Sequence, residues 1–203
     1  MIDLISTVRF LPSYPQLQRP GSMSRYGKRA IAFMETDDPY WTVDMQTVPM
    51  RADEALRLQA FISSARNGME TIVYRPTHVC LPQAYWGDPD NPKIAATGSL
   101  GTVTNGYRVQ INNVVAGLTL MAGDLVSFRT DDYRQMAQVI TGATAASTSI
   151  TVDIDQPIAS YITAGAIVRF KKPELNTRLV KDTFQMGQGP FPVAQFQLIE
   201  VPR

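Results

Sequence analysis

The sequence predicts a mainly β protein: a β-sandwich hub carrying one packed α-helix, with a small β-barrel inserted into it. Three observations lead there. Short apolar segments separated by Gly, Asp and Pro turns fill most of the 203 residues. A single stretch, Ala52 to Gly68, has apolar residues at helical spacing. The run from Leu118 to Pro173 is dense in such strands, poor in reactive side chains, and lies between flanks of different character, as an insert does.

Residues 11–28 carry Pro12, Pro15 and Pro20 with Gly21 and Gly27 and no periodicity, which predicts a loop or extended arm. The apolar run after it ends at Asp37-Asp38-Pro39. Beyond that turn Trp41, Val43 and Met45 alternate with Thr42, Asp44 and Gln46, the period of a half-buried strand, and the two runs read as a hairpin. In the helix, expected over residues 52–67, Ala55, Leu58, Phe61, Ile62 and Ala65 share one face. Asp53 and Glu54 sit where the dipole favours acids, Arg66 where it favours bases, and Gly68 is placed to end it. A strand follows over residues 71–75, and the turn-rich stretch Leu81 to Lys93, with three prolines, marks a boundary.

Further strands are expected near 100–104, 107–112, 124–129, 133–140, 148–154 and 166–171, then two more around the loop M-G-Q-G-P-F-P. The segments A-G-D-L-V-S-F-R and A-G-A-I-V-R-F-K echo each other, as two edges of a barrel do. The organisation that results is a discontinuous hub of residues 1–80 and 174–203 around an inserted barrel of residues 93–172.

Composition narrows the function. Hydrophobic residues make up 44% and charged residues 18%, below the usual quarter or so, which suits a protein that buries neutral surface against neighbours. The net charge of +1 supplies no field for nucleic acid or membrane. Residues 1–34 hold Arg9, Arg19, Arg25, Lys28 and Arg29 against Asp3 alone, while residues 35–92 hold nine acids against four bases. Solvated charge accounts for this, and so does an arm that reaches a neighbour. The lone Cys80 excludes an internal disulfide and fits a reducing cytosol. Asp3 stands where a signal peptide is basic, and no apolar run is long enough to span a bilayer, so no membrane association is expected.

Candidate chemistry is sparse. His78 and Cys80, two apart on an expected strand, share a face, but no orienting acid accompanies them and a structural role is expected. No ligand spacing supports zinc, and D-P-D-N at 88–91 lacks the Gly and distal Glu of a calcium loop. Asp153 and Asp155 read as the wet side of a half-buried strand rather than a glycosidase pair. Gly187-Gln188-Gly189 has no Lys-Ser/Thr after it and is no phosphate cradle. Arg169, Lys171 and Lys172 around Phe170 are the nearest approach to a nucleic-acid surface. Neither catalytic residues, nor a metal, nor a cofactor is expected. Tyr85 and Trp86, in the Pro-rich turn, are candidates for glycan contact, which makes a carbohydrate-binding module the alternative function.

The order of W-T-V-D-M-Q-T-V-P-M, the helix E-A-L-R-L-Q-A-F-I-S-S-A-R-N-G, G-L-T-L-M-A-G-D-L-V-S-F, S-T-S-I-T-V-D-I-D-Q-P-I and A-G-A-I-V-R-F-K-K-P resembles the distal tail proteins of siphophages and their relatives in gene-transfer particles. The similarity covers roughly residues 30–200, and the N-terminal arm departs from it. The resemblance implies a non-enzymatic virion protein at the distal end of the tail. About six copies would close a ring between the tail tube protein and the tail hub protein, with receptor-binding or fibre proteins attached. DNA would pass through the lumen without specific binding. On that reading the arm from Leu11 to Lys28 or the 183–192 loop reaches the next subunit, with Tyr14, Arg19, Arg25, Tyr26, Phe184 and Phe191 as candidate ring contacts.

Overall fold

The structure, a computed structural model, describes residues 1–26 and 30–202, with the side chains of Tyr26 and Ala30 also outside the described set. Lys28 and Arg29, part of the basic arm, lie outside it as well. Chain order runs β1 (Ile2–Asp3), β2 (Gln16–Gln18), β3 (Gly21–Tyr26), β4 (Ala30–Glu35), β5 (Tyr40–Gln46), α1 (Ala52–Ser64) and β6 (Ile72–Tyr74). After α2 (Pro92–Ala95) come β7 (Gly98–Thr104), β8 (Arg108–Asn112), β9 (Thr119–Leu120), β10 (Leu125–Thr130), β11 (Tyr133–Thr141), β12 (Ala143–Thr144), β13 (Ser149–Ile154) and β14 (Ile167–Arg169). The chain closes with β15 (Leu175–Leu179), β16 (Gln185–Met186) and β17 (Ala194–Glu200). The protein is mainly β, with one long helix.

Two bodies of strands account for most of the strand residues. One is a seven-stranded sheet in the order β1-β6-β15-β17-β5-β2, with β16 also on β17. The other is a closed barrel, β10-β11-β13-β8-β7-β14, whose strands fall between β6 and β15 in sequence. The two echoed segments are neighbouring staves: Ser127, Phe128 and Arg129 of β10 face Arg169, Val168 and Ile167 of β14 and complete the closure. Val109, Ile111, Val126, Phe128, Val139, Val152 and Val168 fill the barrel interior.

In the sheet, the alternation of β5 holds: Trp41, Val43 and Met45 are buried and pack with Phe196 and Leu198 of β17. A sandwich would set a second sheet over this apolar face. Here the cover comes from Leu58 and Ala55 of α1, from Val8 and Met50, and from Leu125 and Met136 on the barrel wall. That wall explains why β10 and β11 do not alternate. Residues 125–128 and 134–137 are all buried, because one side faces the barrel interior and the other the sheet.

Several expectations are corrected. The runs 30–35 and 40–46 do not pair with each other. β4 pairs with β3, Met23 opposite Phe33, while β5 lies between β17 and β2, where its apolar face is buried. The arm 11–28 is thus partly strand, and Pro12, Pro15 and Pro20 all fall outside β2 and β3, where no ladder donor is needed. The strand after the helix stops at Tyr74, and residues 77–79 form a bend, so His78 and Cys80 share no strand face. Asp155 is not on the wet side. β13 ends at Ile154, and the Asp155 carboxylate turns inward to accept from the Gln138 N–H at 2.9 Å.

The helix is shorter than its periodicity. α1 stops at Ser64, and Arg66, Asn67 and Gly68 adopt φ of +48°, +52° and +89° in succession, which swings the chain back into β6. Arg66 therefore lies beyond the last turn. Its N-terminus behaves as expected, with Glu54 accepting from the Arg51 N–H at 2.9 Å. A Cβ at Gly68 would lie 2.4 Å from the Leu179 carbonyl oxygen, on a backbone that L residues seldom adopt. Gly68→Ala is expected to lower the unfolding free energy by about 2 kcal/mol, read as a lower urea midpoint at unchanged slope.

Candidate interaction site

Three surface features could carry a function, and each is built from a different part of the sequence. The first is the β3–β4 hairpin, which among the described residues forms a sheet of its own. Strand alternation puts Met23, Phe33, Arg25 and Ile31 on one of its faces, and Met23 and Phe33 are 68% and 77% exposed. Met34, on the other face, is exposed as well. The base of the hairpin is anchored: Thr36 N–H donates to the Pro20 carbonyl at 3.0 Å, Arg19 pairs with Glu35 at 3.8 Å and donates to the Asp155 carbonyl. An isolated two-stranded ribbon is marginal in water, and apolar side chains displayed on it mark a contact surface.

The second feature is an aromatic cleft of about 290 Å³ lined by Tyr14, His78, Val79, Cys80, Leu81 and Trp86. Tyr14 meets His78 edge to face, with ring centroids 5.2 Å apart. Trp86 is 61% exposed, and its indole N–H donates to the Leu81 carbonyl at 3.1 Å.

The third is a cleft of about 700 Å³ between Asp37-Asp38-Pro39-Tyr40, the 156–161 segment and residues 199–202. Glu200 is half-buried in its wall and accepts from the Trp41 N–H at 2.9 Å. Burial, reinforced by the Asp155 carboxylate, pushes the Glu200 carboxyl up to about 8. Burial also raises the Tyr161 phenol to about 12, helped by the charges of Glu200 and Asp38. Because the folded chain holds the Glu200 proton more tightly than an unfolded one, the stability it contributes is complete below pH ~4 and is lost as pH rises through 8. Glu200→Gln is therefore expected to match the parent at pH 4 and to be more stable at pH 9, by about 2 kcal/mol after allowance for the water in the cleft, in paired urea titrations.

The predicted contact residues scatter across these features. Arg19 and Arg25 belong to the hairpin and its base, as does the backbone of Tyr26, whose side chain is outside the described set. Tyr14 is exposed but lines the aromatic cleft. Phe191 is exposed, whereas Phe184 is half-buried and packs on Phe196 at 6.5 Å, inside the chain. Tyr85 cannot present a face to a glycan. It is buried in the barrel core, and its hydroxyl accepts from the Thr119 N–H at 2.9 Å and donates to the Gly117 carbonyl at 3.3 Å. Trp86 alone of that pair is open, and Tyr14 and His78 are its neighbours.

Sequence reasoning missed the polar seam between barrel and sheet. Glu174, 2% exposed, accepts from Arg134 at 2.9 Å and from Arg75 at 2.9 and 3.1 Å, with Arg169 at 3.4 Å. Burial alone would raise the Glu174 carboxyl, but the hydrogen bonds from Arg134 and Arg75 and the Arg169 and Arg75 charges hold it below its usual range. The Trp41 indole N–H donates across the same seam to the Met136 carbonyl at 2.7 Å. Isolated charges in apolar strands were the available signal, and only their joint burial gives it meaning.

Asn91 caps α2 by accepting from the Lys93 N–H, so D-P-D-N is a turn. Among the described residues no group of His, Cys, Asp or Glu could hold a metal ion, and no helix is long and apolar enough to cross a membrane. No protein-family model matches the chain, and no curated protein is significantly similar to it.

Proposed function

We propose that this chain is a structural component of a phage tail tip, a ring protein without enzymatic activity that joins the tail tube to the hub complex and carries peripheral fibre or receptor-binding proteins. The observation that supports it most is the β3–β4 hairpin, which displays Met23, Ile31 and Phe33 to solvent from an anchored base. A contact between this hairpin and a different surface of the next copy is heterologous, and such contacts close into rings when the rotation allows. The finer architecture belongs to the same proposal: a discontinuous hub of residues 1–80 and 174–203, built on the seven-stranded sheet, and an inserted barrel unit of residues 93–172. The partners are about six copies of the chain itself, the tail tube protein and the tail hub protein, with DNA passing through the lumen unread. Antibody labelling of purified tailed particles from producing cells tests this reading. Label at the distal end of the tail supports it, and particles that lack the chain by mass spectrometry count against it.

A carbohydrate-binding reading is favoured by one observation, the open face of Trp86 in the aromatic cleft.

A further inference from the structure

We propose that the cleft of Tyr14, His78 and Trp86 binds one pyranose ring of a neutral saccharide, stacked on the Trp86 indole. Three features of the cleft point to that chemistry. First, Trp86 is exposed but not loose: its only polar atom is committed to the Leu81 carbonyl at 3.1 Å, so the ring is held in place and what remains to offer a ligand is its π face. A fixed, largely exposed indole is a stacking platform with little rotamer freedom to lose on binding.

Second, the polar groups beside it are those that suit hydroxyls. The imidazole of His78 and the phenol of Tyr14 line the same cleft and meet edge to face at 5.2 Å and 83°. Val79 and Leu81 supply apolar wall. An aromatic and aliphatic lining with a few placed polar groups is the general make-up of a small-ligand site. Third, size and charge restrict the ligand. A volume of about 290 Å³ is at the small end of ligand sites and admits a single ring. Among the described residues no Lys or Arg lines the cleft, and none of them would hold the phosphate of a nucleotide, the other common ligand that stacks on aromatic rings. A pyranose chair, uncharged, with an apolar C–H face and a hydroxyl rim, meets these restrictions.

The two tryptophans make the test direct. Trp41 is buried in the sheet core, whereas Trp86 is open, so a ligand at the cleft changes the emission of Trp86. The purified full chain would be titrated with methyl β-glucoside, methyl β-galactoside and N-acetylglucosamine, with adenosine as a parallel arm. A saturable change in emission with at least one sugar is expected, with an affinity near the millimolar range that a single ring allows. Trp86→Phe is expected to abolish the optical response and keep most of the binding. Trp86→Ala is expected to weaken binding about tenfold, followed by saturation-transfer NMR, and Tyr14→Ala to weaken it by a smaller factor. Both positions are exposed, and circular dichroism of each variant shows whether the fold is retained.

No saturable binding of any of the three sugars to the folded chain overturns the proposal. So does binding that survives Trp86→Ala unchanged, or adenosine binding tighter than every sugar. The inference is independent of assembly: light scattering on the same samples separates a failed cleft from a failed ring, since sugar binding to a chain that never assembles leaves the cleft standing and removes the ring.

Discussion

Replacing Glu174 with alanine is expected to lower the unfolding free energy by about 3–5 kcal/mol, among the largest effects any single substitution in this chain should produce. The reason is the company the carboxylate keeps. Its Oε2 accepts from Arg134 Nε at 2.9 Å, and its Oε1 from Arg75 Nη2 at 2.9 Å and Nε at 3.1 Å. Arg134 is itself nearly buried and also donates to the Asp132 carbonyl at 3.1 Å and to Asn176 at 3.3 Å. Removing the acid strands that guanidinium with its charge uncompensated in the seam. Among the described residues, Arg75 alone of the three arginines retains an acid, Asp3 at 2.8 Å, near the surface.

The pH dependence gives a second readout. Because the folded-state carboxyl sits below its usual range, the stability from Glu174 is present above the unfolded value near pH ~4 and is lost as pH falls through the lower folded value. The parent chain should therefore lose stability in acid more steeply than Glu174→Ala. Breaking the exposed pair of Arg108 and Asp153, although it is bidentate at 2.7 and 3.1 Å, should change the urea midpoint little, since water replaces both partners.

The double variant Met23→Thr with Phe33→Thr is expected to leave the chain folded and to weaken its self-association by a factor of roughly 100 or more. The two side chains face each other across the hairpin and are mostly exposed, so the isolated chain loses little when they are shortened, and threonine keeps the strand preference. Buried against a neighbour, they would each contribute about 1.5–3 kcal/mol, and the loss recurs at every contact of a closed ring. Sedimentation velocity over a concentration series reads the shift, and an unchanged melting temperature shows that the fold is intact. Assembly at the same concentration as the parent would remove the hairpin from the interface.

The barrel's strands were legible in the sequence because most are short and bounded by Gly and Asp turns, and β13 alternates cleanly, with Ile150, Val152 and Ile154 pointing inward as the period demands. The echoed residues 122–129 and 164–171 prove to be paired staves, with Phe128 opposite Val168. The hairpin was not legible. Residues 21–26 hold serines and no apolar period, and the pairing of β4 with β3 instead of β5 depends on β17 competing for β5 from more than 140 residues away. Separation in sequence hid the seam too: Arg134 and Arg75 lie 40 and 99 residues from Glu174, and nothing local says that the three will meet.

The candidate site was half legible. Trp86 stood out as an aromatic in a Pro-rich turn, and it is open. Its neighbour in sequence, Tyr85, points the other way, into the barrel, because a 3₁₀ turn over Gln83–Tyr85 sends successive side chains in different directions. The true neighbours of Trp86 come from residue 14 and residues 78–81, which only the tertiary structure brings together.

Multi-angle light scattering of the purified chain across a wide concentration range bears most directly on the ring. A mass that settles at roughly six times 22.5 kDa, with closed circular particles in images of the same fraction, is the outcome the proposal predicts. A mass that stays at 22.5 kDa up to the highest concentration reached would contradict it.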